Sequence, residues 1–283
     1  MHSYYYENKG LPTDFYTDLA SERRRADTEC EGIEYEKQDC PVGKWERVRV
    51  NDELGERSVM RPIGVYDTLT TERLDLLCED EICDAKEEIS KRLCELCDEM
   101  GVFPGRILVV GFGNERMTAD SVGPKSALCV KPTLHISEYD PDYFDKLDSS
   151  EIAVFRPGVS AESGMDSAGS TRSVCERLMP DLVIAVDSIM TRSVERLGNT
   201  IQLSSTGLFP GGVGNLHSPI TKASVGAPTI SIGVPTVIDL RALMQSAPSG
   251  CRLFVSPREI DEITNNAAEI IGGAINQAFG LYL

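Results

Sequence analysis

Arg106-Ile107-Leu108-Val109-Val110-Gly111-Phe112-Gly113 runs four apolar residues straight into a pair of glycines. A short, continuous apolar run with a β-branched bias reads as a strand buried on both faces, and the glycines mark its turn. Leu182-Val183-Ile184-Ala185-Val186-Asp187 repeats the pattern and ends in a carboxylate, and Thr229-Ile230-Ser231-Ile232-Gly233-Val234-Pro235 repeats it again up to a proline. Ile152–Phe155, Thr200–Leu203 and Cys251–Val255 are shorter strand candidates. Apolar strands separated by helical stretches define an α/β fold with a mostly parallel central sheet covered on both faces, a three-layer αβα sandwich.

The flanks carry weaker signals. Ser256-Pro257-Arg258-Glu259 has the spacing of a capping box with proline at the first helical position. Ile260, Ile263, Ala267, Ile270, Ala274 and Ala278 then mark one apolar helix face. Ile82, Ile89, Leu93, Leu96 and Met100 mark another. Residues 1–60 read as polar and irregular, with a faint strand signal at Trp45–Val50.

The 283 residues carry a net charge of -17. That balance argues against a DNA or phosphate-backbone binder, which needs a basic footprint. No apolar stretch is long enough to span a membrane, and Met1–Glu7 lacks the basic and apolar regions of a secretory signal, which points to a cytoplasmic protein. Residues 1–100 hold 26 acids and 14 bases and residues 101–283 hold 19 and 14, so the first third differs in kind. The nine cysteines read as reduced thiols. Cys94 and Cys97 form a C-x-x-C, but no second ligand pair follows at zinc spacing, so both read as packed or partly exposed thiols.

Four features bear on chemistry. Gly111-Phe112-Gly113-Asn114-Glu115-Arg116 follows a strand as a dinucleotide fingerprint would, yet Arg116 stands where a small residue is needed. Asp120 lies just past the first strand and Asp187 at the end of the second, both bound for the crevice beyond the carboxyl ends of parallel strands. Two carboxyls held together split their pKa values, giving an acid and a base that can activate water, and the same pair can hold a metal ion with its own water. Taken singly, Asp120 also suits a helix cap and Asp187 a turn. Ser205–Asn215 packs four glycines into residues 207–214, which lets backbone amides approach an extended substrate closely. His217 follows, but no Gly-x-Ser-x-Gly elbow accompanies it.

In order, these segments resemble the germination protease family, spore endopeptidases that degrade small acid-soluble spore proteins. The resemblance rests on Gly111–Asn114 with Thr118-Ala119-Asp120-Ser121-Val122-Gly123-Pro124, on Pro157-Gly158-Val159, and on Pro180–Asp187. It continues through Arg192-Ser193, Asn199–Gln202, Thr206-Gly207, Pro210-Gly211, Gly214-Asn215, Ile232–Asp239 and Pro257–Asp261. The chain departs from the family pattern at Glu115-Arg116-Met117, across 160–169, and in a shortened stretch between Asp239 and Ser256.

The resemblance implies Asp120 and Asp187 as the catalytic pair and a phosphorylase/hydrolase-like fold similar to hydrogenase-maturation endopeptidases. Those enzymes use a bound metal, so a divalent ion at the Asp pair stays open beside a cofactor-free mechanism. It also implies a homotetramer in the developing spore, with spore proteins as substrate and no contact with nucleic acid or membrane. Thr17-Asp18-Leu19-Ala20-Ser21-Glu22 is similar to the family's cleavage sequence, which implies self-cleavage between Asp18 and Leu19. The expected organisation is a pro-segment at 1–18, an acidic region at 19–105 packing on the core, and a catalytic core at 106–283. Substrate binding falls to Gly211, Gly212, Gly214, Asn215 and a cation for the acidic residue before the cut: Arg192, with Lys125 and Arg156 as further candidates. A metal-dependent endopeptidase of the same fold and a non-catalytic module that holds spore proteins are the competing readings.

Overall fold

In the computed structural model, residues 31–59, 61–208, 218–244 and 253–280 are described. Three strands and two helices come first: β1 (Ile33–Cys40), β2 (Gly43–Val50), α1 (Glu53–Val59), β3 (Gly64–Thr70) and α2 (Glu79–Met100). Then follow β4 (Arg106–Gly111), α3 (Val122–Cys129), β5 (Glu151–Phe155), α4 (Ser167–Leu178), β6 (Leu182–Thr191) and β7 (Thr200–Ser204). β8 (Thr229–Asp239), β9 (Phe254–Val255) and α5 (Ile260–Phe279) complete the main elements.

All nine strands join one sheet in the order β1-β2-β3-β7-β8-β6-β4-β5, with β9 pairing the far end of β8. The expected parallel sheet is present in β5-β4-β6-β8, and the remaining pairings are antiparallel, so the sheet as a whole is mixed. Side chains alternate across it. Ile107, Val109, Leu182, Ile184 and Val186 meet α2, α3 and α5 on one face. Leu108, Val110, Val183 and Ala185 meet Ala168 and Cys175 of α4 on the other. Strands buried on both faces have no polar alternation, which is why these runs are so apolar.

The acidic first third is more regular than its composition suggests. Within residues 31–59 the structure has β1, β2 and α1 in place of irregular chain. β1 is an edge strand whose exposed side is polar, so its apolar period is faint. β2 turns Trp45 toward α2 and Val48 and Val50 toward a small cluster with Val59 of α1 and Tyr66. Cys97 sits within the main core, and burial pushes its thiol up to about 12; Cys94, one turn earlier, is exposed.

Two local expectations change. The C-terminal helix starts at Ile260, and its cap, Glu259, makes no side-chain capping bond. Ser256 lies four residues before the first helical residue, so it is not the N-cap, and the Glu259 carboxylate pairs instead with Arg73 at 2.7 Å. β6 does not stop at Asp187 but runs on to Thr191, because β8 continues beside it to Asp239. The apolar face of α5 is as expected: Ile263, Ala267, Ile270 and Ala274 are buried, and Ile260 and Ala278 pack at its ends.

Candidate active site

β4 stops at Gly111, opposite Val186, while β6 continues five residues further. This leaves Asp187 just past the end of its neighbour, where a side chain reaches the crevice above the parallel strands. Asp187 is half-buried and accepts the Ser188 N–H at 2.8 Å.

The chain leaving β4 folds back onto the same spot. Phe112 N–H donates to Val186 O at 2.8 Å. Gly113 follows at φ +113, where a Cβ would lie 2.2 Å from Asp120 O, so only glycine fits. Asn114 N–H then donates to both the main-chain O and the Oδ2 of Asp120, each at 2.9 Å. Asn114 Oδ1 in turn accepts the Arg116 N–H at 2.9 Å, closing the tight turn that carries Glu115 and Arg116. Asp120, also half-buried, is thereby fixed in a 3₁₀ turn, Thr118–Asp120.

Three contacts press this turn against β6 and β8. Val122 N–H donates to Ser188 Oγ at 3.3 Å. A Cβ on Gly123 would lie 2.1 Å from Phe112 O and 2.4 Å from Val186 O, so the start of α3 lies flush on the strand ends. Thr236 Oγ donates to Ala119 O at 2.6 Å. Thr236 is the extra residue of a bulge: Pro235 pairs with Ile189 and Val237 with Met190, leaving Thr236 between them. A bulge re-aims a side chain, and here it sends a fully buried hydroxyl to the Asp120 turn.

The segments bearing Asp120 and Asp187 therefore converge at the carboxyl end of β4. Among the described residues, no third His, Cys, Asp or Glu joins them as a metal-binding group. Asn114, Ser188 and Thr236 support the site without having been singled out as site residues. The one advance sign was Pro235 within a central strand, which favours a bulge.

The proposed binding residues are spread more widely. Gly211, Gly212, Gly214, Asn215 and His217 lie outside the described residues, as do Asp18 and Leu19. The ends of the glycine-rich connection are held: Leu208 and Ile220 exchange two backbone bonds of 2.8 Å, and Ser231 Oγ donates to Gly207 O at 2.9 Å. Ser231 pairs with Ala185, two residues before Asp187. Arg192 lies one residue beyond β6, about 16 Å along the chain from Asp187 at the usual strand rise. Lys125 Nζ donates to Thr264 Oγ1 on α5 at 2.8 Å, and Arg156 pairs with Glu115 at 3.1 Å.

A doubly covered α/β sheet with two aspartate-bearing segments meeting at the carboxyl end of β4 is a scaffold of the kind that binds ligands at that edge. The sequence model of the germination protease family matches residues 13–247, and the chain belongs to that family. It is 39% identical to a germination protease of Caldanaerobacter subterraneus subsp. tengcongensis over 93% of each chain. It is 30% identical to one of Clostridium perfringens over 93% of this chain and 94% of that one. A crystal structure of the [NiFe] hydrogenase maturation protease HycI from Thermococcus kodakarensis KOD1 aligns at 20% identity with a TM-score of 0.36, covering 65% of this chain and 99% of that one. The chain is thus a spore-germination endopeptidase. The matched span opens at residue 13 and ends at 247, so the family likeness includes Asp18, Leu19 and β1 to β3 as well as the region from residue 106 through β8.

Proposed function

We propose that this endopeptidase cuts small acid-soluble spore proteins after an acidic residue, using a water activated between Asp120 and Asp187. The observation that carries the reading is the convergence of the two aspartate-bearing segments, held by the Val122 N–Ser188 Oγ and Phe112 N–Val186 O bonds. In this mechanism one carboxylate accepts a proton as the water oxygen attacks the scissile carbonyl carbon. The other, protonated, first donates to the carbonyl oxygen; as the C–N bond breaks, the proton gained from water passes to the leaving nitrogen and the proton on the former carbonyl oxygen returns to the second carboxylate, which restores the pair. The Asn114 N–H bond to Asp120 Oδ2 holds that carboxylate in place for its part in either step.

Gly211, Gly212, Gly214 and Asn215 bind the extended chain of the substrate through their backbone amides. Arg192, roughly 16 Å from Asp187, meets an acidic residue several positions from the cut. The protein is made as a zymogen, loses residues 1–18 by its own action between Asp18 and Leu19, and works as a homotetramer inside the spore.

Incubation of purified small acid-soluble spore protein with the wild-type chain and with Asp120→Asn and Asp187→Asn variants tests the reading. Fragments ending in Glu or Asp are expected from wild type alone, with the N-terminus of aged wild type moving to Leu19. Full cleavage by either Asn variant removes the acid pair. Activity lost to chelation and restored by a divalent ion replaces it with a metal site. An intact substrate with tight binding makes the chain a holding module.

A further inference from the structure

Two of the chain's departures from the family pattern meet in space. Glu115 and Arg116, on the loop after β4, face Arg156, just past β5, and Glu162, in the short helix Ser160–Ser163 that follows. The pairs cross: Arg156 Nη1 donates to Glu115 Oε2 at 3.1 Å, and Arg116 Nε lies 3.8 Å from Glu162 Oε1. Both pairs are largely exposed, so neither adds much to stability.

The register brings one of these cations to the same end of the parallel strands as the candidate catalytic pair. Phe155 pairs with Val110, so Arg156 stands level with Gly111, and Gly111 pairs with Val186. Arg156 therefore sits in the row just before Asp187, two strands across, with its Cα about 10 Å from that of Val186. An arginine and an acidic side chain reaching toward each other span that gap. The other cations are less well placed. Lys125 turns to Thr264 on α5, Arg241 grips both oxygens of Asp239, and Arg192 lies about 16 Å away along β6. Arg156 uses a single guanidinium nitrogen on Glu115 among the described residues, which leaves the fork geometry that binds a carboxylate bidentately.

We propose that Arg156 is the specificity-determining residue for the acidic side chain preceding the scissile bond, and that Glu115 is its resting partner, displaced when substrate binds. This rests on the reading of Asp120 and Asp187 as the reacting groups.

The test uses two synthetic peptides spanning Thr17–Glu22, one as in the chain and one with Asp18 replaced by Asn, cleaved by the full-length protein. Wild type should prefer the Asp peptide in kcat/KM by about 10- to 100-fold, the range of a charge-assisted hydrogen bond. In Arg156→Gln that ratio should fall to within about threefold of unity, and Arg156→Lys should retain part of it. Glu115→Gln should move the opposite way, lowering KM for the Asp peptide, whereas a purely structural ion pair makes the two substitutions behave alike. An unchanged ratio in Arg156→Gln, or parallel effects of the two substitutions, overturns the assignment. Binding of fluorescently labelled peptides to Asp187→Asn separates the two levels. If wild type cuts neither peptide but binding still prefers Asp through Arg156, the acid-pair chemistry falls and this assignment stands. If cleavage is normal and binding shows no such preference, only this assignment falls.

Discussion

Val122 N–H donates to the hydroxyl of Ser188 at 3.3 Å, joining the residue two after Asp120 to the residue immediately after Asp187. This side-chain bond ties the two halves of the candidate site directly. Replacing Ser188 by Ala removes it while leaving the strand pairing of β6 intact. A single partly buried hydrogen bond is worth about 1 kcal/mol, so the melting temperature should fall by only ~2–4 °C. Catalysis depends on the geometry of the pair, and misplacement of one carboxylate costs far more than the bond itself. Peptide cleavage by Ser188→Ala should drop at least tenfold with folding preserved. Wild-type kcat/KM in that variant would show the tether to be irrelevant.

Thr236 offers a sharper contrast. Its hydroxyl is fully buried and donates to Ala119 O at 2.6 Å from the bulge in β8. Thr236→Val keeps the shape and leaves the carbonyl of half-buried Ala119 without that donor, a cost of about 1 kcal/mol. Thr236→Ser keeps the donor and loses one methyl. Cleavage should therefore fall strongly in the Val variant and remain within a few-fold of wild type in the Ser variant. Equal loss in both would point to packing of the methyl, with the hydroxyl uninvolved.

These supporting groups also mark the limit of what could be read in advance. β4, β6 and β8 were legible because burial on both faces leaves Ile107–Val110 and Leu182–Val186 without polar interruptions. Asp187 stood out for the same reason, as the first charge after such a run. Asp120 could be placed past β4 but not oriented, since its position depends on the Asn114 turn and on a bulge 116 residues away. A bulge is a property of paired strands, and Pro235 hints at one without saying which residue it will re-aim. β1 was missed for a simpler reason: an edge strand with one solvated face has too few apolar residues to announce its period.

Strands β2 and β3 are fastened to α2 by charges. Arg47 forks onto Asp67, Nε to Oδ1 at 2.7 Å and Nη2 to Oδ2 at 2.9 Å, and reaches Glu99 of α2 at 2.7 Å. Asp67 is fully buried, and Arg92 of α2 lies 4.7 Å over the Trp45 ring beside it. Removing Arg47 leaves buried Asp67 with the Arg92 guanidinium at 4.0 Å, so the loss approaches the ~3–5 kcal/mol of a broken buried pair, whereas an apolar replacement of both is close to neutral. Arg47→Met should lower the urea midpoint markedly, and adding Asp67→Leu should recover most of the loss. A double variant less stable than Arg47→Met would show that the ion pair is itself strongly stabilising.

Glu46 makes the corresponding link to the catalytic half. Burial raises its pKa, but the Lys37 ammonium at 2.8 Å, Arg196 at 3.1 Å and the Tyr35 hydroxyl at 2.9 Å outweigh that and hold the carboxyl below its ordinary value. Arg196 follows β6, so this contact bridges 150 positions. With the folded-state pKa depressed, the unfolded chain binds the proton more readily. The contribution to stability is therefore complete above the ordinary glutamate pKa of about 4.3 and is lost as pH falls through the lower folded value. Glu99 and Glu151 are lowered as well, so acid destabilises wild type through several groups at once. The diagnostic quantity is the difference from Glu46→Gln. Urea midpoints measured between about pH 6 and pH 3 should fall less steeply in that variant, with the two curves converging at the acid end. Parallel curves across the whole range would mean that Glu46 takes up its proton alike in the folded and unfolded chain.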